Sequence, residues 1–327
     1  MKDARLFNRW DAVVAACYRG ICKHAWLRRA LSWQAEIPDR PQITTDGMRI
    51  EIVSHCWNYA HLLRFQLHSL IRHPPTAAAV TMTVFYNDSD DETKALLDWC
   101  GQQIVEGVTW QFLSLPPFQL FRRAIGRNHA ATTTRADWIW FTDCDVIFGE
   151  KFLDALASEL DSLDHPLVYP QTEQRTPPLP PDHPWLAKNQ PPDISPGFDA
   201  GRCQPFSLNR ATGPMQIVRA DVARSVGYCR QPAFYQKPAA HWCKATEDRV
   251  FRWTLGTQGI PITASPVYRI QHQTKGRYHA RGRILQLISR IRSALQTHRI
   301  KKISSRQSAT LQGRDIPDRQ NGPTSPT

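Results

Sequence analysis

The chain has 327 residues and a net charge of +12, with 41% hydrophobic and 10% aromatic side chains, 11 of them Trp. That is a globular composition, long enough for one large core or two small ones. It excludes a low-complexity chain, and no apolar run approaches the roughly 18 residues of a transmembrane helix. The charge is unevenly placed: residues 1–49 carry 9 Lys/Arg against 5 Asp/Glu, residues 281–327 carry 10 against 2, and residues 50–280 carry 22 of each. Basic flanks around a neutral middle imply an anionic surface as partner, not a basic active site. A membrane surface is the expected one, with no nucleic acid. The eight cysteines are scattered without a CxxC or zinc spacing, and the start of the chain shows no signal-peptide pattern. Reduced thiols and a cytoplasmic location, peripheral on the inner face of the membrane, are expected.

In chain order, residues 1–48 read as a basic helical extension. The apolar strand 50-IEIVSH-55 leads into a helix from Tyr59 to Arg72, stopped by His73-Pro74-Pro75. A second strand, 80-VTMTVFYN-87, is followed by the acidic turn 88-DSDDE-92 and a helix to about Cys100. A third strand, 108-VTWQFLSL-115, precedes a helix over roughly 121–134. A fourth strand is expected within 137-DWIWFTDCDVIF-148. This alternation predicts right-handed βαβ units and an α/β fold with a mostly parallel sheet, whose ligands sit at the carboxyl ends of the strands.

After a short helix (151–160), the segment 170–196 holds nine prolines and reads as a long loop or lid, or as a disordered insertion. A strand 214-PMQIVR-219, helices over 220–226 and 247–257, and a last strand over 266–271 complete a domain spanning 49–280. Residues 281–304 place Ile284, Leu287, Ile288, Ile291 and Leu295 on one helical face and arginines on the other. This is the pattern of an interfacial basic helix, or of an ordinary amphipathic helix packed on the domain. Residues 305–327 read as a disordered tail.

Two acids, Asp143 and Asp145, follow the apolar run Trp138–Phe141. On an extended backbone, residues two apart leave the same face, and two hard oxygen donors suit Mg²⁺ or Mn²⁺ on a diphosphate. The same pattern fits the nucleophile of a haloacid-dehalogenase-like phosphatase. Against that reading, three βα units precede the motif.

The helix before this strand reads 122-RRAIGRNHAATTTRADWIW-140, and downstream lies 245-ATEDRVFRWTLGTQG-259. With the acidic pair, these resemble family 2 glycosyltransferases of the GT-A fold across roughly residues 49–275. The resemblance implies an inverting, metal-dependent glycosyltransferase. It would move a hexose from a nucleotide diphosphate sugar to a saccharide or lipid-linked acceptor. It further implies Asp145 and Asp143 as ligands of Mn²⁺ or Mg²⁺, Asp143 also touching the nucleotide, and Arg127 and Asn128 near the donor. Asn58 and Asp88 would meet the nucleotide base, although 54-SHCWN-58 and 86-YNDSDD-91 depart from the family's usual Pro-Thr-Tyr-Asn and Asp-Asp-Gly-Ser-x-Asp. Asp248 is the expected general base and Glu247 a support for acceptor or loop; by itself such a pair also reads as a helix cap. His272 matches a third metal ligand, and Lys275 and Arg277 would neutralise the leaving phosphate. Trp185 and Trp242 are candidates to stack on sugar, or to pack in the core. A non-catalytic nucleotide-sugar-binding membrane scaffold is the alternative from a different class.

Overall fold

The computed structural model describes residues 6, 9–21, 37–38, 47–241 and 246–272. The described residues fall within a first compact unit, residues 1–273. The basic helix expected at 281–304, the tail beyond it, Lys275, Arg277 and Trp242 lie outside the described residues.

The first unit opens with helix α1 (Arg9–Ile21) and then strand β1 (Met48–His55). The order continues α2 (Ala60–Arg72), β2 (Ala78–Tyr86), α3 (Asp91–Gly101), β3 (Val108–Ser114), a one-turn α4 (Pro117–Leu120) and α5 (Arg123–Thr133). Next come β4 (Trp138–Phe141), β5 (Val146–Phe148), α6 (Phe152–Asp161), β6 (Leu167–Pro170), β7 (Thr172–Arg175) and β8 (Gln204–Ser207). Strand β9 (Gln216–Arg219), α7 (Ala220–Val226), α8 (Glu247–Leu255), β10 (Ile260–Ile262) and β11 (Val267–Arg269) complete it.

Seven strands form the main sheet in the order β10-β6-β9-β4-β1-β2-β3. β1 is parallel to β2 and β4, and β2 to β3, while β9 runs antiparallel between β4 and β6. Seven of the eight β1 residues are buried, as expected for a central parallel strand covered on both faces. The core gathers Ile50, Ile52, Val84, Trp138, Trp140, Phe141 and Phe152, all essentially without solvent contact. A smaller sheet, β5-β11-β7-β8, stands beside it.

Two expectations change here. The stretch 137–148 is not one strand: β4 ends at Phe141 in the main sheet, and β5 belongs to the smaller one. The chain turns between them, Val146 donating to the Asp143 carbonyl at 3.3 Å. The proline-rich segment also contains regular structure, since β6 ends at Pro170 and β7 follows. A proline lacks only a donor, so it is tolerated at a strand end. The remainder is strapped to α2. Arg64 donates to the Ile194 carbonyl (2.6 Å), His68 bonds the Pro192 carbonyl (2.8 Å), and Arg72 donates to Ser195 Oγ (2.6 Å).

Candidate active site

The turn that carries the two acids is fixed from three sides. Gln66 of α2 donates to the Asp143 carbonyl at 3.1 Å and accepts from Ser54 Oγ at 2.6 Å. Arg123 and Arg127 of α5 both reach Asp143 Oδ1, the second at 3.3 Å. Ile270, just past β11, donates its N–H to the Asp145 carbonyl at 2.9 Å, and Arg269 pairs with the Asp145 carboxylate at 3.6 Å. Arg269 also pairs with buried Glu173, which Arg175 engages too. Because the backbone turns here, the expectation that Asp143 and Asp145 share one face of an extended strand is corrected. Asp143 meets two guanidinium groups of α5, and Asp145 meets a third, from β11.

Arg123 and Arg127 are one helical turn apart, yet they differ in kind. Arg127 has 1% of its side chain exposed. It donates to Tyr228 Oη (2.9 Å), to the Thr142 carbonyl (2.8 Å) and to Asp143, and lies over the rings of Phe141 and Tyr228. Arg123 is 27% exposed. Burial works against the charge of Arg123, but Asp143, Glu247 and Asp248 outweigh it and raise its pKa. Arg123 therefore sits in the field of Asp143 and of the Glu247–Asp248 pair. The Arg127 guanidinium is enclosed in the wall, where it holds Asp143. Asn128 is half-buried, its Oδ1 accepting from the Tyr228 N–H at 3.0 Å.

α5 approaches β1 closely enough to require Gly126, where an added Cβ would stand 2.3 Å from His55 Nε2 and 2.9 Å from Phe85 Cγ. His55 is buried against Phe85, and burial pushes its pKa well down.

Glu247 and Asp248 open α8, although neither is its N-cap, a place taken by Thr246. Glu247 is buried, while Asp248 keeps 33% of its side chain exposed and bonds Arg252 at 3.2 Å. A continuous polar path joins this helix to the acidic turn. Gln216 donates to the Asp248 carbonyl (3.2 Å) and accepts from Tyr228 Oη (2.9 Å), which in turn accepts from Arg127.

At the ends of β1 and β2, Asn58 takes a left-handed φ of 55° and donates its N–H to Asp90 Oδ2 at 2.6 Å. Asp90 caps α3 and also accepts from Thr93 Oγ1 (2.7 Å). Asp88 is fully exposed, and hydrogen bonds from Ser114 and Tyr86 lower its pKa. The acidic turn thus divides its work between a structural cap and an outward carboxylate.

His272 does not join the aspartates. It is buried, bridges Leu179 and meets Tyr59 edge-on at 5.5 Å. Among the described residues no three His, Cys, Asp or Glu side chains gather as a metal-ligand group. Trp185 packs with Phe65 and Phe198, so among the described residues its place is an aromatic cluster. Sequence reasoning missed Arg123, Arg269, Glu173, Tyr228 and Gln216. Only the Arg122-Arg123 pair, one turn before Arg127, carried a local signal.

The sequence pattern of glycosyl transferase family 2 matches residues 51–227, just over half of the chain. Among solved structures, residues 1–349 of S. aureus TarS align at 14% identity with a TM-score of 0.40, covering 69% of this chain and 61% of that one. A longer S. aureus TarS structure aligns at 13% and 0.43, covering 68% and 37%. The 1–349 form in complex with UDP-GlcNAc aligns at 14% and 0.39, covering 68% and 59%. The chain thus spans less than two thirds of each. No curated protein matches. No helix among the described residues is long and apolar enough to cross a membrane. The family match, which includes both the α5 helix and the Asp143–Asp145 turn, replaces the phosphatase alternative: the chain belongs to glycosyl transferase family 2, with a mixed, mostly parallel α/β sheet of GT-A type.

Proposed function

We propose that the enzyme moves a hexose from a nucleotide diphosphate sugar to a hydroxyl of a saccharide or lipid-linked acceptor, with inversion at the anomeric carbon. The observation that carries this reading is Arg123. It contacts Asp143 of the acidic turn and feels the charges of Glu247 and Asp248. A leaving diphosphate and an attacking hydroxyl need such neighbouring, oppositely equipped places.

In this reading Asp248, the partly exposed acid of α8, takes the proton from the acceptor hydroxyl. The oxygen forms its bond to the anomeric carbon as the bond to the diphosphate breaks on the opposite side. Glu247 steadies the start of the helix. Arg123 turns from Asp143 to the diphosphate oxygens, a charge-assisted exchange of one anion for another. Asp88 and the Asn58 turn receive the nucleoside. Asp143 and Asp145 fit Mn²⁺ or Mg²⁺ in donor type, since such cations are commonly held by one or two carboxylates plus substrate phosphates. When bound, the metal supplies positive charge to the departing diphosphate.

The test is nucleoside diphosphate release from a panel of nucleotide sugars with Mn²⁺ and mixed saccharide acceptors. Asp248→Asn should lower turnover by about 10²–10⁴-fold while donor binding persists, and a chelator should abolish wild-type turnover. Turnover that survives Asp248→Asn would remove the assigned base; turnover that survives chelation would remove the metal.

A further inference from the structure

Helix α1 presents two faces to two environments. Its inner face is fixed to the catalytic domain. Tyr18 is buried and meets Phe234 and Trp253 edge-on at 5.5 and 6.4 Å, while buried Asp11 pairs with Lys237 at 2.7 Å. On the other side, Trp10, Val13 and Cys17 follow at spacings of three and four residues and so share one helical stripe. Trp10 is 73% exposed, Val13 53%, and Leu6, just before the helix, 48%; Cys17 is exposed as well. Three of the eight large hydrophobic side chains exposed among the described residues fall within these eight positions. Such clustering marks an interaction surface, because single exposed apolar residues are ordinarily scattered.

We propose that α1 is an interfacial helix whose Leu6, Trp10 and Val13 stripe enters an anionic lipid surface. A Trp ring has an apolar body and a polar edge, which suits the headgroup boundary. The charge carried by the two ends of the sequence selects the lipid. Lys2, Arg5, Arg9 and Arg19 lie along the same stretch, and residues 1–49 carry 9 cations against 5 acids. Residues 281–327 add 10 against 2, whereas residues 50–280 are balanced. Positive flanks are attracted to anionic lipid and repel a second copy of themselves, so the charge favours membrane over self-association. The inner face of α1 meanwhile touches Trp253 of α8, the helix that begins with Glu247 and Asp248. Seating α1 on lipid therefore brings the acceptor side of the site to the membrane. This last step rests on the proposed lipid-linked acceptor; the lipid contact itself does not.

The experiment is co-sedimentation of the full chain with vesicles of equal parts phosphatidylglycerol and phosphatidylcholine, and with phosphatidylcholine alone, without substrate. Wild type should sediment with the anionic vesicles. Trp10→Ser/Val13→Ser should bind them at least about tenfold more weakly, and Trp10→Phe/Val13→Leu should bind like wild type. Because the replaced side chains are exposed, the serine variant should melt with wild type and retain nucleoside diphosphate release from soluble substrates. Equal vesicle binding by the serine variant would overturn the proposal and assign the anchor to basic charge elsewhere. A wild-type dimer that the serine variant loses, without vesicle binding, would assign the stripe to a second copy. Failure of vesicle binding leaves glycosyl transfer intact, and failure of glycosyl transfer leaves vesicle binding intact.

Discussion

Arg123 and Arg127 offer a direct separation of donor binding from stability, because both contact Asp143 and only one reaches solvent. Replacing Arg123 by Gln removes a side chain that is 27% exposed from a carboxylate that is 12% exposed. Asp143 keeps Arg127 as a partner, so no uncompensated carboxylate is left and the fold should lose only about 1 kcal/mol, the net worth of one hydrogen bond. A guanidinium contact to phosphate is worth about 1.5–3 kcal/mol, so nucleoside diphosphate binding should weaken by roughly 10- to 150-fold. Arg127→Gln does the reverse. It strips donors from Tyr228 Oη, the Thr142 carbonyl and Asp143 inside the wall, and removing one member of a buried charged network costs about 3–5 kcal/mol. Calorimetric titration with UDP and with GDP in the presence of Mn²⁺, paired with thermal melts, reads both quantities. The reasoning fails if Arg123→Gln binds like wild type, or if Arg127→Gln melts like wild type yet loses binding.

Two further outcomes follow from the packing around the site. Gly126→Ala should lower the urea midpoint by the equivalent of about 1–3 kcal/mol through overpacking against His55 and Phe85, although Ala would otherwise favour a helix by about 1 kcal/mol; a higher midpoint would show that the helix shifts freely. Burial, followed by the nearby charges of Lys188 and His272, lowers the pKa of His61 to about 4. The unfolded imidazole titrates near ~6.5, so acid protonates the unfolded state first. The stability that neutral His61 contributes is complete above about 6.5 and declines toward pH about 4, by up to ~1.4 kcal/mol per unit. His61→Gln should flatten that part of the stability profile, and an unchanged slope would assign it to other groups.

The βα repeat from β1 to β4 was legible because central parallel strands are unbroken apolar runs with helical periodicity between them. Of the smaller sheet, β11 lies within the strand expected over 266–271, but β7 and β8 were not legible. Thr172–Arg175 is polar and without alternation, and it becomes a strand only through pairing with β8 and β11. The acidic turn shows the same limit. Period two places Asp143 and Asp145 on one face only if the backbone stays extended, and the switch from one sheet to the other bends it. The arginines are subtler still. A helical period puts Arg123 and Arg127 on one face, but Tyr228, a hundred residues away, decides which of them is enclosed. Residue type pointed to the neighbourhood, and long-range packing assigned the roles.

The charge around the acidic turn explains why the residue at its edge is the informative one. Asp143, Asp145 and Glu173 stand against Arg123, Arg127, Arg175 and Arg269. Carboxylates this enclosed must be neutralised by neighbours, and the guanidinium groups do so before any donor arrives. Of the four, Arg127 at 1%, Arg269 at 17% and Arg175 at 18% are the more enclosed, and Arg123 at 27% the least. In the proposed reaction a diphosphate entering from solvent would meet Arg123 first and compete with Asp143 for it, with Arg127 and Arg269 left to hold the two carboxylates. A site built this way aligns its acids in advance and leaves one cation to change partners, which is the arrangement that electrostatic preorganisation asks of a leaving-group pocket.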